Sequence, residues 1–314
     1  MVAWMPIAWG MLLALNSVIL VLFGSRWRVI LGALGWRVTW MVTALYRLAG
    51  YGVSYFTPGP QFGGEPVMIF LLHRRKHIPG AVCTASVVLD RSLELLANFV
   101  FLAAGGLVVA NLRLFPSWPQ ATTIVLPLAL LLVPVFLLMT AWLGWRPLTW
   151  LLGRVPSRLR SLPRFARLQN LTADAESYIT DLCRRRPLAL VVALLLSGLS
   201  WGAQIAEYSL SPSFLGLPLG FKETIAAMTA ARLAILLPIP RAAGVLEASQ
   251  VLALQALGYG PAAGISMGLL MRARDLLIAG SGLWIGSLLA AGERTAEANP
   301  VDSARPVESD GGPG

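Results

Sequence analysis

Five apolar runs, Trp4–Phe23, Ala81–Ala110, Ala121–Trp145, Pro187–Leu210 and Pro261–Ala291, set the terms on which this chain can fold. Each has about 20 or more residues, the length a helix needs to cross about 30 Å of hydrocarbon. Without water, every backbone N–H and C=O must find a partner inside the protein, so such runs become helices. The rest of the composition agrees. Of 314 residues 56% are hydrophobic and 13% charged, with a mean hydropathy of +0.69, which excludes an ordinary soluble domain. The first run has no basic start and no small-residue cleavage site ahead of Arg26 and Arg28, so it reads as a retained membrane helix.

A net charge of +10 elsewhere points to nucleic acid. Here its placement points to lipid. The cations gather at the ends of apolar runs, at Arg26 and Arg28, at Arg74–Lys76, and through the arginine-rich connection 146–186. That is the positive-inside pattern, with anionic headgroups as the counter-surface. The expected location is therefore the bacterial cytoplasmic (inner) membrane, multi-pass, with basic loops and the C-terminus cytoplasmic. Lysine occurs only at 76 and 222, which fits GC-rich bacterial coding. Cys83 and Cys183 show no disulfide or metal-ligand spacing. His73 and His77 lie one helical turn apart, but the run around them is basic and reads as a solvated helix end. Neither metal nor cofactor is expected, and no Ser/His/Asp set offers catalysis.

Two shorter segments break what would otherwise be further spans. Thr57 to Pro66 reads T-P-G-P-Q-F-G-G-E-P, and Leu237 to Glu247 reads L-P-I-P-R-A-A-G-V-L-E. Each places a Pro-x-Pro break, around Pro58 or Pro238, before a glycine (Gly63 and Gly64, or Gly244) and a glutamate, Glu65 or Glu247. Each is followed by a long helix opened by Pro79 or Pro261. Arg26 and Arg28 mark the cytoplasmic end of the first helix and His73–His77 a second inside site, so the chain between them must enter the membrane and return. A flat span from Trp36 to Phe56 would instead push His73 outside and break the arginine rule. By the same reasoning the second break opens from the opposite face. The expected fold is an all-α polytopic membrane helix bundle with two inverted-topology, broken or re-entrant helical hairpins. Irregular backbone at that depth survives only beside protein or a wet cavity, and paired breaks in corresponding halves point to a transport site. The transmembrane unit is 1–291, with repeats at about 36–110 and 221–291. Residues 146–186 form a basic interfacial connection, and the polar tail 292–314 is expected to be disordered.

Charges fall inside the two long helices. Asp90, Arg91 and Glu94 lie on the first, and Arg272, Arg274 and Asp275 on the second. An unpaired charge near the midplane costs about 3 kcal/mol, so these side chains must pair or be hydrated. Spacing predicts Arg91 with Glu94 and Arg272 with Asp275, leaving Asp90 and Arg274 as opposite surpluses that meet between the halves. Arg37, Arg47 and Arg232 are expected to snorkel to an interface. The pairs act either as structural glue or as a site in which Arg241, Arg272 and Arg274 attract a lipid phosphate. In the second reading Glu65, Asp90, Glu94 and Glu247 gate it or carry a proton.

The chain resembles the lysylphosphatidylglycerol synthase transmembrane family, the flippase-like membrane proteins. The resemblance rests on Pro58-Gly59-Pro60-Gln61-Phe62-Gly63-Gly64-Glu65, on Ser86 through Asp90-Arg91 to Glu94-Leu95-Leu96, and on Leu237-Pro238-Ile239-Pro240 through Gly244 to Glu247-Ala248. It covers most of Trp4 to Ala291. Gly-Gly-Glu-Pro with Glu94-Leu95-Leu96-Ala97-Asn98 is also similar to members associated with hopanoid biosynthesis. The resemblance implies a flippase for a polar or anionic lipid (phospholipid, aminoacyl lipid, hopanoid or polyprenyl lipid), with lipid-biosynthesis enzymes as partners. The segment after Ala291 is too short for a synthase domain, so no enzyme activity is expected, and the family's usual extra N-terminal helix is not seen. A membrane-embedded lipid- or polyprenyl-linked transferase and a scaffold for a lipid-modifying complex are the rival readings.

Overall fold

The apolar runs fold as helices, four of which extend past the end of the run. The computed structural model describes residues 5–57, 63–114, 120–155, 162–237, 239 and 244–298. Among these the chain forms helices and no strand: α1 (Met5–Ala33), α2 (Trp40–Phe56), α3 (Glu65–Lys76), α4 (Gly80–Asn111), α5 (Gln120–Leu143), α6 (Pro147–Gly153), α7 (Pro163–Arg185), α8 (Pro187–Phe214), α9 (Phe221–Ile235), α10 (Val245–Ala256) and α11 (Pro261–Ala298). Proline opens α6, α7, α8 and α11, where its fixed φ is helical and its missing N–H costs nothing. Four segments are long and apolar enough to cross a membrane: Trp9–Ala33, Gly80–Asn111, Pro187–Phe214 and Pro261–Ala291. A fifth candidate joins Leu128–Leu143 to α6 across a 91° bend, made at Gly144, whose φ of 78° suits glycine.

The other membrane-facing helices are too short to span. α3 and α10 have 12 residues each, a rise of about 18 Å against about 30 Å of hydrocarbon. They work as the second arms of hairpins. Trp36 and Val38 before α2 share a core with Leu71 and Leu72 of α3 and with Ile78 and Val82, so the α2–α3 arm ends where it began. Likewise Leu217 and Leu219 before α9 pack with Leu257 and Tyr259 after α10, and the Tyr259 hydroxyl donates to the Pro218 carbonyl at 3.2 Å. The breaks themselves, 58–62 and 238 with 240–243, lie outside the described residues.

Glycine decides how closely the arms approach. A Cβ on Gly282 of α11 would sit 2.2 Å from the Leu48 carbonyl oxygen of α2, and one on Gly52 would sit 2.6 Å from the Leu283 nitrogen. At the other crossing, a Cβ on Gly105 of α4 would meet Thr229 Oγ1 of α9 at 2.0 Å. The first arm of each hairpin therefore packs on the long helix that follows the other hairpin.

Two expectations need correction. Arg26 does not mark the end of the first helix. α1 continues to Ala33 and Arg26 is 1% exposed, because its counter-charges lie inside the bundle. The basic connection 146–186 holds two helices, α6 and α7. α7 buries Ala175, Glu176, Leu182 and Cys183, and Glu176 accepts the Leu148 and Thr149 N–H groups at 2.8 and 3.0 Å, fixing the start of α6. The tail expected over 292–314 begins helical, since α11 runs to Ala298, and its remainder lies outside the described residues.

Candidate functional site between the hairpins

The first hairpin is tied to α4 by its own break. Gly63 has φ 137°, a conformation glycine alone adopts readily, and its N–H donates to Glu65 Oε2 at 2.8 Å. The Gly64 N–H donates to Ser54 Oγ at 2.8 Å, and a Cβ on Gly64 would lie 2.0 Å from the Gly50 oxygen, so the arms touch backbone to backbone. Glu65 Oε1 then meets Arg91 Nε at 2.6 Å.

Arg91 leads into a larger ionic network. It pairs with Glu94 at 3.1 Å as the spacing predicted. Asp90, 0% exposed, accepts from Arg26 Nε at 2.7 Å and from Arg47. Glu94 accepts from Arg26 at 3.3 Å and from Arg47. Arg26 also donates to Ser197 Oγ of α8 at 3.1 Å, and both guanidinium groups lie over the Phe23 ring. Burying ions is tolerable only when their charge is answered, and here three arginines stand against Asp90, Glu94 and Glu65. The arginines lie between and beside Asp90 and Glu94, the two acids one helical turn apart on α4.

The second hairpin repeats the tie with its own residues. Gly244, φ 76°, precedes α10, and Arg272 donates to Glu247 through Nε at 2.9 Å and a terminal nitrogen at 2.7 Å. Gly268 admits this approach, since a Cβ there would lie 3.1 Å from Glu247 Cα. Arg274 chelates Glu207 of α8, both oxygens at 2.6 Å, and reaches Asp275 at 2.7 Å. The expected Arg272–Asp275 pairing thus gives way to Glu247 for Arg272 and Arg274 for Asp275. The expected meeting of Asp90 with Arg274 is replaced too, because each surplus finds its partner on α1, α2 or α8. Pro58, Pro238 and Arg241 lie outside the described residues.

Both networks border one cavity of about 330 Å³. Arg47, Arg91 and Glu94 line it from the first network, and Glu207, Arg274 and Asp275 from the second, with Phe23, Tyr51 and Tyr208 between them. Asn16 and Ser17 of α1 complete a polar strip on that helix. A smaller cavity of about 60 Å³ adjoins Arg91, Glu94, Asn98, Gln204 and Arg232. Arg232 accordingly does not snorkel. It donates to Gln204 at 2.6 Å and lies over the Trp201 ring, 4.7 Å from its centre. Arg26, Arg47, Gln204, Glu207 and Arg232 went unrecognised as site residues. The available signal was a lone charge inside an apolar run, as at Glu207. Among the described residues no group of three or more His, Cys, Asp or Glu is placed to hold a metal, and Cys183, whose thiol burial pushes up to about 11, is unsuited to reaction.

The arrangement supplies a polar chamber with fixed cations and anions. The family model for the lysylphosphatidylglycerol synthase TM region matches residues 2–282. No curated protein and no solved structure matches the chain.

Proposed function

We propose, because this chain belongs to the lysylphosphatidylglycerol synthase transmembrane family, that it is a non-enzymatic lipid translocator. Membership in this family and a multi-pass helical bundle make it a membrane protein concerned with lipid. In the proposed mechanism a phospholipid headgroup passes through the cavity between the hairpins while its acyl chains stay in the bilayer. The observation that carries this reading is the single cavity of about 330 Å³ walled by both ionic networks. An ionic lining offers a headgroup replacements for the water it leaves, which is what crossing hydrocarbon requires.

The reciprocal packing of α2 on α11 and α9 on α4, with the matched Glu65–Arg91 and Glu247–Arg272 ties, supports two inverted repeats. Alternating access by rocking of one repeat against the other is the motion that such repeats allow. The exposed arginines at 28, 37, 74 and 184–186 support an inner-membrane orientation with those ends cytoplasmic.

The test is a leaflet assay in proteoliposomes with a fluorescent phosphatidylglycerol and an impermeant quencher. Glu94→Gln and Arg274→Gln should each slow exchange by about tenfold or more, the effect of about 1.4 kcal/mol on the barrier. Wild-type rates in both would remove the cavity from the path.

A further inference from the structure

Each arginine in the two networks has a carboxylate. Arg26 and Arg47 hold Asp90 and Glu94, Arg91 holds Glu65 and Glu94, Arg272 holds Glu247, and Arg274 holds Glu207 and Asp275. Arg232 is the exception. Among the described residues it forms no ion pair, and its contacts are the neutral Gln204 amide and the Trp201 ring. It nevertheless borders both cavities, where Glu94, Glu207 and Asp275 lie near enough to act on its charge but none pairs with it directly.

Its surroundings hold it in place without neutralising it. The Gln204 amide nitrogen donates to the Ser200 carbonyl at 3.2 Å, which turns the amide oxygen toward Arg232. Trp201 is itself stacked on Phe101 with centroids 4.7 Å apart, so the face on which the guanidinium rests is fixed. A guanidinium fastened along one edge and one face keeps its remaining N–H groups for a planar or tetrahedral oxyanion. We propose that Arg232 is the anchor for the phosphate of the ligand, receiving a phosphodiester headgroup between the two balanced networks. The balanced pairs then form walls that a headgroup passes, and Arg232 is the point at which it is held. This deepens the translocation reading and rests on it for its purpose, but the test below measures binding separately.

The full-length protein in detergent is titrated with short-chain phosphatidylglycerol, with short-chain diacylglycerol as the phosphate-free probe, and with inorganic phosphate as competitor. Arg232→Gln should weaken phosphatidylglycerol binding by about tenfold or more, Arg232→Lys should lose less, and diacylglycerol binding should be unchanged in both. Unchanged phosphatidylglycerol affinity in Arg232→Gln overturns the proposal. So does equal loss of both lipids, which would make the residue a packing element. Competition by inorganic phosphate that disappears in Arg232→Gln supports the anchor with a free anion as its source; no competition alongside the expected lipid result supports it with the headgroup as the source. Wild-type protein that binds through Arg232 yet moves no lipid between leaflets defeats the translocation reading and leaves the anchor standing.

Discussion

Each hairpin carries one arginine deep on its first arm, Arg47 on α2 and Arg232 on α9, and the two arginines differ in their company. Arg47 sits between Asp90 and Glu94. Arg232 has only an amide and an indole ring. The cause lies in the long helices that follow. α4 brings two acids and one arginine, Asp90, Arg91 and Glu94, so its surplus is negative and absorbs Arg47 together with Arg26. α11 brings two arginines and one acid, Arg272, Arg274 and Asp275, and its surplus is positive. Glu207 of α8 answers Arg274, and among the described residues no carboxylate pairs directly with Arg232. Similar backbone halves thus hold inverse charge patterns, and the imbalance leaves a cation where a ligand can reach it.

The sharpest way to break this comparison is to remove the acid at the centre of the first network. Asp90→Asn leaves Arg26 and Arg47 sharing Glu94 in a dry site and should destabilise the protein by about 3–5 kcal/mol, read as a lowered unfolding midpoint in detergent. Arg47→Gln should come next, at about 2–3 kcal/mol, because two carboxylates lose one of their donors while Arg26 and Arg91 remain. Steric tests of the crossings follow. Gly282→Ala drives a methyl into the Leu48 carbonyl and should cost about 1–3 kcal/mol, and Gly105→Ala, which meets the buried Thr229 side chain that bonds the Ile225 carbonyl, should cost a similar amount. The smallest effect belongs to Arg232→Gln, which gives up the hydrogen bond to Gln204 and the Trp201 ring contact but also removes a buried cation, for a net cost of about 1 kcal/mol. A stability loss as large as that of Arg47→Gln would show that Arg232 is a structural partner after all.

The hairpin boundaries were legible in the sequence because Pro-x-Pro and Gly-Gly are strong local signals, and α2, α3, α9 and α10 begin and end beside them. The partners within the hairpins were half legible. Arg91–Glu94 followed from helical spacing, while Glu65–Arg91 and Glu247–Arg272 join different helices, which spacing within one helix does not show. Arg26 was misread because charge counting treats an arginine beyond an apolar stretch as the end of a helix, and Arg47 because a long cationic side chain was expected to snorkel. The acid that overrules that reading for Arg26 lies 64 positions away, and spacing within one helix carries no trace of it. Glu207 was passed over for the same reason, as a single acid in an apolar run whose partner Arg274 lies on another helix.

The placement of Arg26 also bears on how the protein is made. α4 would enter the lipid carrying an excess of negative charge, but α1, already inserted, brings the compensating cation. In the same way α8 delivers Glu207 before α11 emerges with Arg274. Synthesis order therefore supplies each counter-ion ahead of the segment that needs it, and the first helix serves as an insertion partner for the fourth as well as an anchor.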